Sequence, residues 1–262
     1  MFHLPAVDHE RFRQLFDMSG RVVVVTGGTR GIGLALAEGY VAAGARVVVA
    51  SRKPDACAET EAHLRAMGGD ALAVPTHLGD LDALDALVER TVAAFGGIDV
   101  VVNNAATSLA QPLGRMTPEA WAKSFDVNLR GPVFLVQKAL PHLVESRHAA
   151  VLHVVSTGAY LFAAMTAMYA AGKAALLSFT RSMAAEYAPL GIRVNALAPG
   201  AVDTDMVRNT PPESQEMMAN ASIMRRLASP DEMVGPALLL TSDAGSFITG
   251  QAVLADGGLV PH

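Results

Sequence analysis

Short runs of apolar, largely β-branched residues recur along this chain, each separated from the next by enough residues for one helix. No other feature restricts the fold so tightly. Residues 22–25 are four consecutive valines, 46–50 read RVVVA, and further runs occupy 71–75, 98–102, 150–155, 192–198 and 252–255. Runs without polar alternation are strands buried on both faces. Helical patterns fill the gaps at 32–43, 55–67, 80–95, 117–145, 168–187 and 230–240. Parallel strands need long, right-handed crossovers, so the rhythm predicts an α/β fold of three layers, a doubly wound parallel sheet. No Pro/Gly/Ser-rich linker divides it. A single domain is expected over 20–262, after an N-terminal extension at 1–19. Residues 205–226 break the rhythm with Thr210-Pro211-Pro212 and the methionines Met217, Met218 and Met224. An irregular insertion just after a strand's carboxyl end reads as a lid over a site, with a plain surface excursion as the alternative.

Composition narrows the partners. Hydrophobic residues make up 51% of the chain and charged residues 17%, as in a compact globular protein. A formal net charge of -5 leaves no basic footprint for nucleic acid. No apolar run approaches the ~20 residues needed to cross a bilayer, and no secretory signal or membrane partner is expected. The single cysteine, Cys57, fits a reducing cytoplasm. The eight histidines are scattered and neither HExxH nor CxxC occurs, so no metal site is expected.

Between the first strand and the first crossover helix stands Thr26-Gly27-Gly28-Thr29-Arg30-Gly31-Ile32-Gly33. Glycines at a strand–turn–helix junction let the backbone approach a pyrophosphate, which then sits at the positive end of the helix. Further on, Tyr169 and Lys173 are four residues apart and share one helix face, with Ser156 upstream. A cation beside a phenol favours the phenolate, so the Tyr169 pKa is expected to fall from about 10 towards working pH. That would suit proton exchange with an alcohol or carbonyl.

Taken in order, these motifs resemble the short-chain dehydrogenase/reductase family, from about residue 20 to the end. Gly27, Gly31 and Gly33 reproduce its TGxxxGIG turn, and Asn103-Asn104-Ala105-Ala106 resembles its NNAG. Asn128, Ser156, Tyr169 and Lys173 match its catalytic set, Pro199-Gly200 with Thr204 its PGxxxT, and Asp256-Gly257-Gly258 its DGG turn. The resemblance implies a Rossmann-type sheet of about seven strands in the order 3-2-1-4-5-6-7. Tyr169 would act as acid/base, Ser156 would stabilise the substrate oxygen, and Lys173 would hold the cofactor ribose. Asn128 would support a water beside Lys173, while Val202 and Thr204 would hold the carboxamide. Thr29 and Ile32 in the glycine turn, with Asn104 and Ala105, complete the expected cofactor cradle.

The end of the second strand decides between dinucleotides. Ser51 and Arg52 stand where NAD enzymes place a carboxylate, and Arg30 adds a second cation, so NADP(H) is expected. The chain departs from the family at His77-Leu78, where Asp-Val is common. His77 either accepts a hydrogen bond from the adenine or is a packed loop histidine. Ala106 replaces the last glycine of NNAG and would narrow the floor beneath the nicotinamide ribose. Ser108, Leu109, Phe162, Met165, Met206 and Val207 are expected to meet substrate. They are mostly apolar without fixed charge, which suits a neutral or hydrophobic carbonyl or secondary alcohol. A 3-oxoacyl-[acyl-carrier-protein] reductase and a non-catalytic NADPH sensor are the alternatives. The apolar helices at 117–145 and 168–187 imply a homotetramer.

Overall fold

A computed structural model describes residues 8–161 and 164–260. Seven parallel strands form one sheet in the order β3-β2-β1-β4-β5-β6-β7, as the resemblance implied. They are β1 (Val22–Thr26), β2 (Arg46–Ser51), β3 (Ala71–Pro75), β4 (Val100–Asn103), β5 (Ala150–Val154), β6 (Arg193–Pro199) and β7 (Ala252–Ala255). The helices are α1 (His9–Phe16), α2 (Gly31–Ala42), α3 (Pro54–Ala66), α4 (Leu81–Phe95), α5 (Pro118–Phe125), α6 (Gly131–Glu145), α7 (Ala167–Tyr187), α8 (Asp205–Arg208), α9 (Pro212–Ala221) and α10 (Val234–Thr241).

The valine runs are buried on both faces because successive side chains of a strand point to opposite layers. Val23 and Val25 of β1 join Leu36, Tyr40, Leu64 and Leu240 from α2, α3 and α10. Val22 and Val24 join Leu84, Leu87, Leu143 and Met183 from α4, α6 and α7. Each fully buried valine or leucine contributes about 1.5–3 kcal/mol of hydrophobic stabilisation, which is why the strands need no alternating pattern.

Three local features differ from the sequence reading. Met18 is fully buried in the core, so the chain enters the fold just inside the expected extension, after helix α1. The tract at 117–145 is not one helix: α5 and α6 are joined by a π turn at Asp126–Arg130. The 205–226 insertion is largely helical, formed by α8 and α9. Pro212 opens α9 at its first position, where its missing N–H costs nothing. Among the described residues, no helix is long and apolar enough to cross a membrane.

Candidate active site

All seven strands run the same way, so their carboxyl ends lie along one edge, where ligands of open α/β sheets bind. The loops there enclose a cleft that collects Gly27, Thr29, Arg30, Gly31, Ile32 and Gly33 from the first turn, with Ser51 at the end of β2 and Arg52 just after it. Asn104 and Ala105 follow β4, Ser156 follows β5, and Tyr169 and Lys173 project from α7. Pro199 ends β6 and Gly200, Val202 and Thr204 follow it, while Leu78 comes from beyond β3.

The glycine turn is closed by contacts that exclude side chains. Gly27 has φ +66°, and a Cβ there would stand 2.8 Å from Ala105 Cα. Gly31 has φ +53°, and a Cβ there would stand 3.0 Å from Thr204 Cγ2. A Cβ on Gly33 would overlap the Gly27 carbonyl oxygen and Asn104 Nδ2. Asn104 donates to the carbonyls of Thr26 (2.9 Å) and Gly27 (3.3 Å), tying this turn to the β4 loop. The first N–H groups of α2 have no side-chain cap and remain available to an anion. A cradle of this form fits a dinucleotide pyrophosphate.

At the end of β2, Thr29 Oγ1 donates to Ser51 Oγ at 3.0 Å, and Arg52 is exposed beside them. Arg30 is not a free cation: its Nη1 is 3.2 Å from Asp205 Oδ2 at the start of α8. His77 does not line the cleft. It is exposed, and its Nδ1 accepts a hydrogen bond from Gly79 N at 3.1 Å. The ring is turned back onto its own loop, while Thr76 and Leu78 on either side line the cleft.

Around the reacting groups, Ser156 has extended backbone and its Oγ accepts from Gly158 N at 3.1 Å, which fixes the hydroxyl at the mouth of β5. Lys173 is buried and donates to the Val154 carbonyl at 2.7 Å. Burial without a carboxylate partner brings its pKa down to about 8. The expected fall in the Tyr169 pKa is overturned. Desolvation raises it, and the nearby Ser156 hydroxyl only partly offsets this. Lys173 Nζ stands 5.8 Å from the centre of the Tyr169 ring, where its field does not outweigh burial.

Asn128 is fully buried in the π turn and does not line the cleft. Its Oδ1 accepts from Thr107 N (3.0 Å) and its Nδ2 donates to Thr107 O (2.8 Å). These contacts make it a brace of the β4 loop. The same turn meets α7 at Gly172, a glycine inside a helix: a Cβ there would stand 3.2 Å from Asn128 Cβ, so glycine lets α7 pack closely on the π turn.

On the substrate side, Met206 and Val207 line the cleft, whereas Ser108, Leu109 and Met165 do not, and Phe162 lies outside the described residues. Ala106 lines it too. The wall also carries Lys123 and Asp205, so it is not free of fixed charge. Neither had a motif to mark it; the side of a helix that faces a cleft is set by packing. Among the described residues, no three His, Cys, Asp or Glu side chains gather as a metal site.

Behind Lys173, His153 is fully buried on β5. Its Nδ1 accepts from Asn103 Nδ2 at 3.3 Å, an amide that also donates to the Pro132 carbonyl at 3.1 Å. Burial, with the Lys173 charge nearby, lowers the His153 pKa to about 3. The unfolded chain takes up this proton below about pH 6.5 and the folded chain refuses it until about 3. Unfolding therefore binds a proton within that window, and stability falls as pH drops through it. His153→Gln is expected to flatten the decline in melting temperature between pH 7 and 4.5, measured by circular dichroism; an unchanged slope would refute the assignment.

The chain matches a family model described as enoyl-(acyl carrier protein) reductase over residues 27–260. It is 37% identical to the L-rhamnose 1-dehydrogenase (NAD(P)(+)) of Azotobacter vinelandii over 246 residues, 91% of this chain and 96% of that one. It is 36% identical to the 3-oxoacyl-[acyl-carrier-protein] reductase of Synechocystis sp., covering 93% and 98% of the two chains. The crystal structure of a short-chain type dehydrogenase/reductase from Mycobacterium marinum superposes with a TM-score of 0.90 at 30% identity, covering 95% of this chain and 99% of the other.

Proposed function

Because the chain belongs to the short-chain dehydrogenase/reductase family and is an oxidoreductase of that kind, we propose that it transfers hydride between NADP(H) and a neutral or hydrophobic carbonyl compound or secondary alcohol. The observation that carries this reading is the gathering of Ser156, Tyr169 and Lys173 with the glycine turn in one cleft. The nicotinamide, when bound, supplies or accepts the hydride. Tyr169 gives its proton to the carbonyl oxygen in reduction and removes it in oxidation. Burial keeps the phenol in its protonated, donating form. Ser156 donates to the same oxygen and stabilises its developing charge. Lys173 holds the ribose hydroxyls, and Asn128 positions the loop that carries Asn104 and Ala105 against the glycine turn.

A screen of carbonyl compounds that follows NADPH absorbance tests the reading; binding without turnover of any compound would support a non-catalytic sensor instead. The Synechocystis relative keeps a 3-oxoacyl thioester among the substrates to be screened.

NADP(H) is preferred over NAD(H) because Ser51 and Arg52 leave the ribose end without a carboxylate. Arg52→Ala is expected to weaken NADPH by about 10- to 100-fold and leave NADH within about twofold, by fluorescence titration. Equal affinities in the parent would refute the 2′-phosphate argument. The proposal includes a homotetramer, supported by the exposed Trp121, Val144 and Phe179 on α5, α6 and α7. Sedimentation is expected at four times the chain mass, and a monomer would overturn it. A cytoplasmic site of action is proposed from the single, free cysteine Cys57.

A further inference from the structure

Arg30 and Asp205 lie 175 positions apart in sequence, and both line the cleft. Arg30 stands in the glycine turn at the N-terminal cap of α2, and Asp205 opens α8 of the lid. Their side chains, 72% and 50% exposed, meet with Nη1 3.2 Å from Oδ2.

Seating the lid does not need this pair. The backbone at Gly31 already approaches Thr204, so closely that a Cβ would stand 3.0 Å from Thr204 Cγ2. Asp203 N donates to the Ala228 carbonyl at 2.8 Å. Arg208 Nε and Nη2 donate to the Asp203 carboxylate at 2.7 and 2.9 Å. An exposed ion pair adds little to a base fixed in these ways. Arg208, on the same helix as Asp205, is engaged by Asp203, and Asp205 turns to the glycine turn instead.

The charge that Asp205 covers is one that an NADP(H) site needs. Thr29 Oγ1 donates to Ser51 Oγ at 3.0 Å, which holds the turn against the end of β2, where Arg52 follows. Arg30 is the next residue after Thr29, so the β2 end lies within reach of its long side chain. A phosphate monoester carries a charge of about -1.5 to -2 at neutral pH and takes a guanidinium through paired hydrogen bonds. Such a group displaces a single, half-exposed carboxylate.

We propose that Asp205 is a cofactor-specificity residue that acts through Arg30. It holds the guanidinium in the free protein and gives it up to the 2′-phosphate, so NADP(H) binds less tightly than the cations alone would allow. NAD(H) brings no 2′-phosphate and is bound with the pair closed. The proposal rests on the NADP(H) reading of the ribose end and names the residue that tunes it.

Fluorescence titration of the full chain with NADPH and with NADH tests the exchange. Asp205→Asn is expected to tighten NADPH by about three- to fivefold, the upper range for an exposed pair. NADH, which reports that the cradle is intact, should stay within about 1.5-fold of the parent. Arg30→Ala is expected to weaken NADPH by about tenfold. In that background Asp205→Asn should change NADPH affinity by less than about 1.5-fold, because its partner is gone.

Unchanged NADPH affinity in Asp205→Asn, or an equal gain for NADH, would overturn the proposal. So would a gain that persists in the Arg30→Ala background, which would mean that Asp205 repels the phosphate directly. A parent that prefers NADPH while Asp205→Asn has no effect would remove only this inference. Equal affinities in the parent would instead strike the NADP(H) reading beneath it.

Discussion

Tyr169→Phe is expected to lower the turnover of any substrate found in the carbonyl screen by about 10²–10⁴-fold, the usual worth of a positioned acid/base. NADPH should bind within about twofold of the parent. The two halves of the result separate chemistry from cradle, because the phenol oxygen is removed while the ring that lines the cleft stays. Single-turnover absorbance and a fluorescence titration would measure them. Turnover comparable to the parent's would exclude Tyr169 as the proton donor. Loss of NADPH binding would instead make it a structural member of the cradle.

The second large effect concerns a single methyl group. Gly33→Ala places a Cβ into the Gly27 carbonyl and the Asn104 amide, the groups that join the glycine turn to the β4 loop. Overpacking costs about 1–3 kcal/mol, and here the obstacle is backbone, which yields little. A fall in melting temperature of about 5–10 °C and a loss of saturable NADPH binding are expected together. Gly235→Ala in α10 serves as the control, because a Cβ there meets nothing within 4 Å. Alanine improves on glycine within helices by about 0.5–1 kcal/mol, so that variant should melt no lower than the parent. Parent-like NADPH affinity in Gly33→Ala would refute the tight-turn account of the cradle.

The layers were legible because four valines in a row leave no polar face for water, and the crossover rule then fixes a parallel sheet. The glycine turn was equally readable: its glycines sit where Ala105, Thr204 and Asn104 approach the backbone. Less visible were properties that depend on distant neighbours. The spacing of Tyr169 and Lys173 announced a shared helix face but not the burial that raises the phenol pKa. Arg30 reads as a free cation until α8 brings Asp205 to it. His77 reads equally as an adenine acceptor or a loop histidine until its ring accepts from Gly79 N. Gly172 carried a helix-propensity cost of about 1 kcal/mol with no visible reason, because Asn128 lies 44 residues away in sequence and 3.2 Å from the missing Cβ.

The π turn at Asp126–Arg130 gives this region a rule of counting. A regular α-helix turns by about 100° per residue, and the wide turn holds one residue more than a regular turn would between α5 and α6. Deleting any one residue from that stretch would let the two helices merge into a single regular rod. Asn128 could keep its identity and still lose Thr107. Grafts or loop exchanges into this chain must therefore preserve residue number between Phe125 and Gly131 as strictly as residue type.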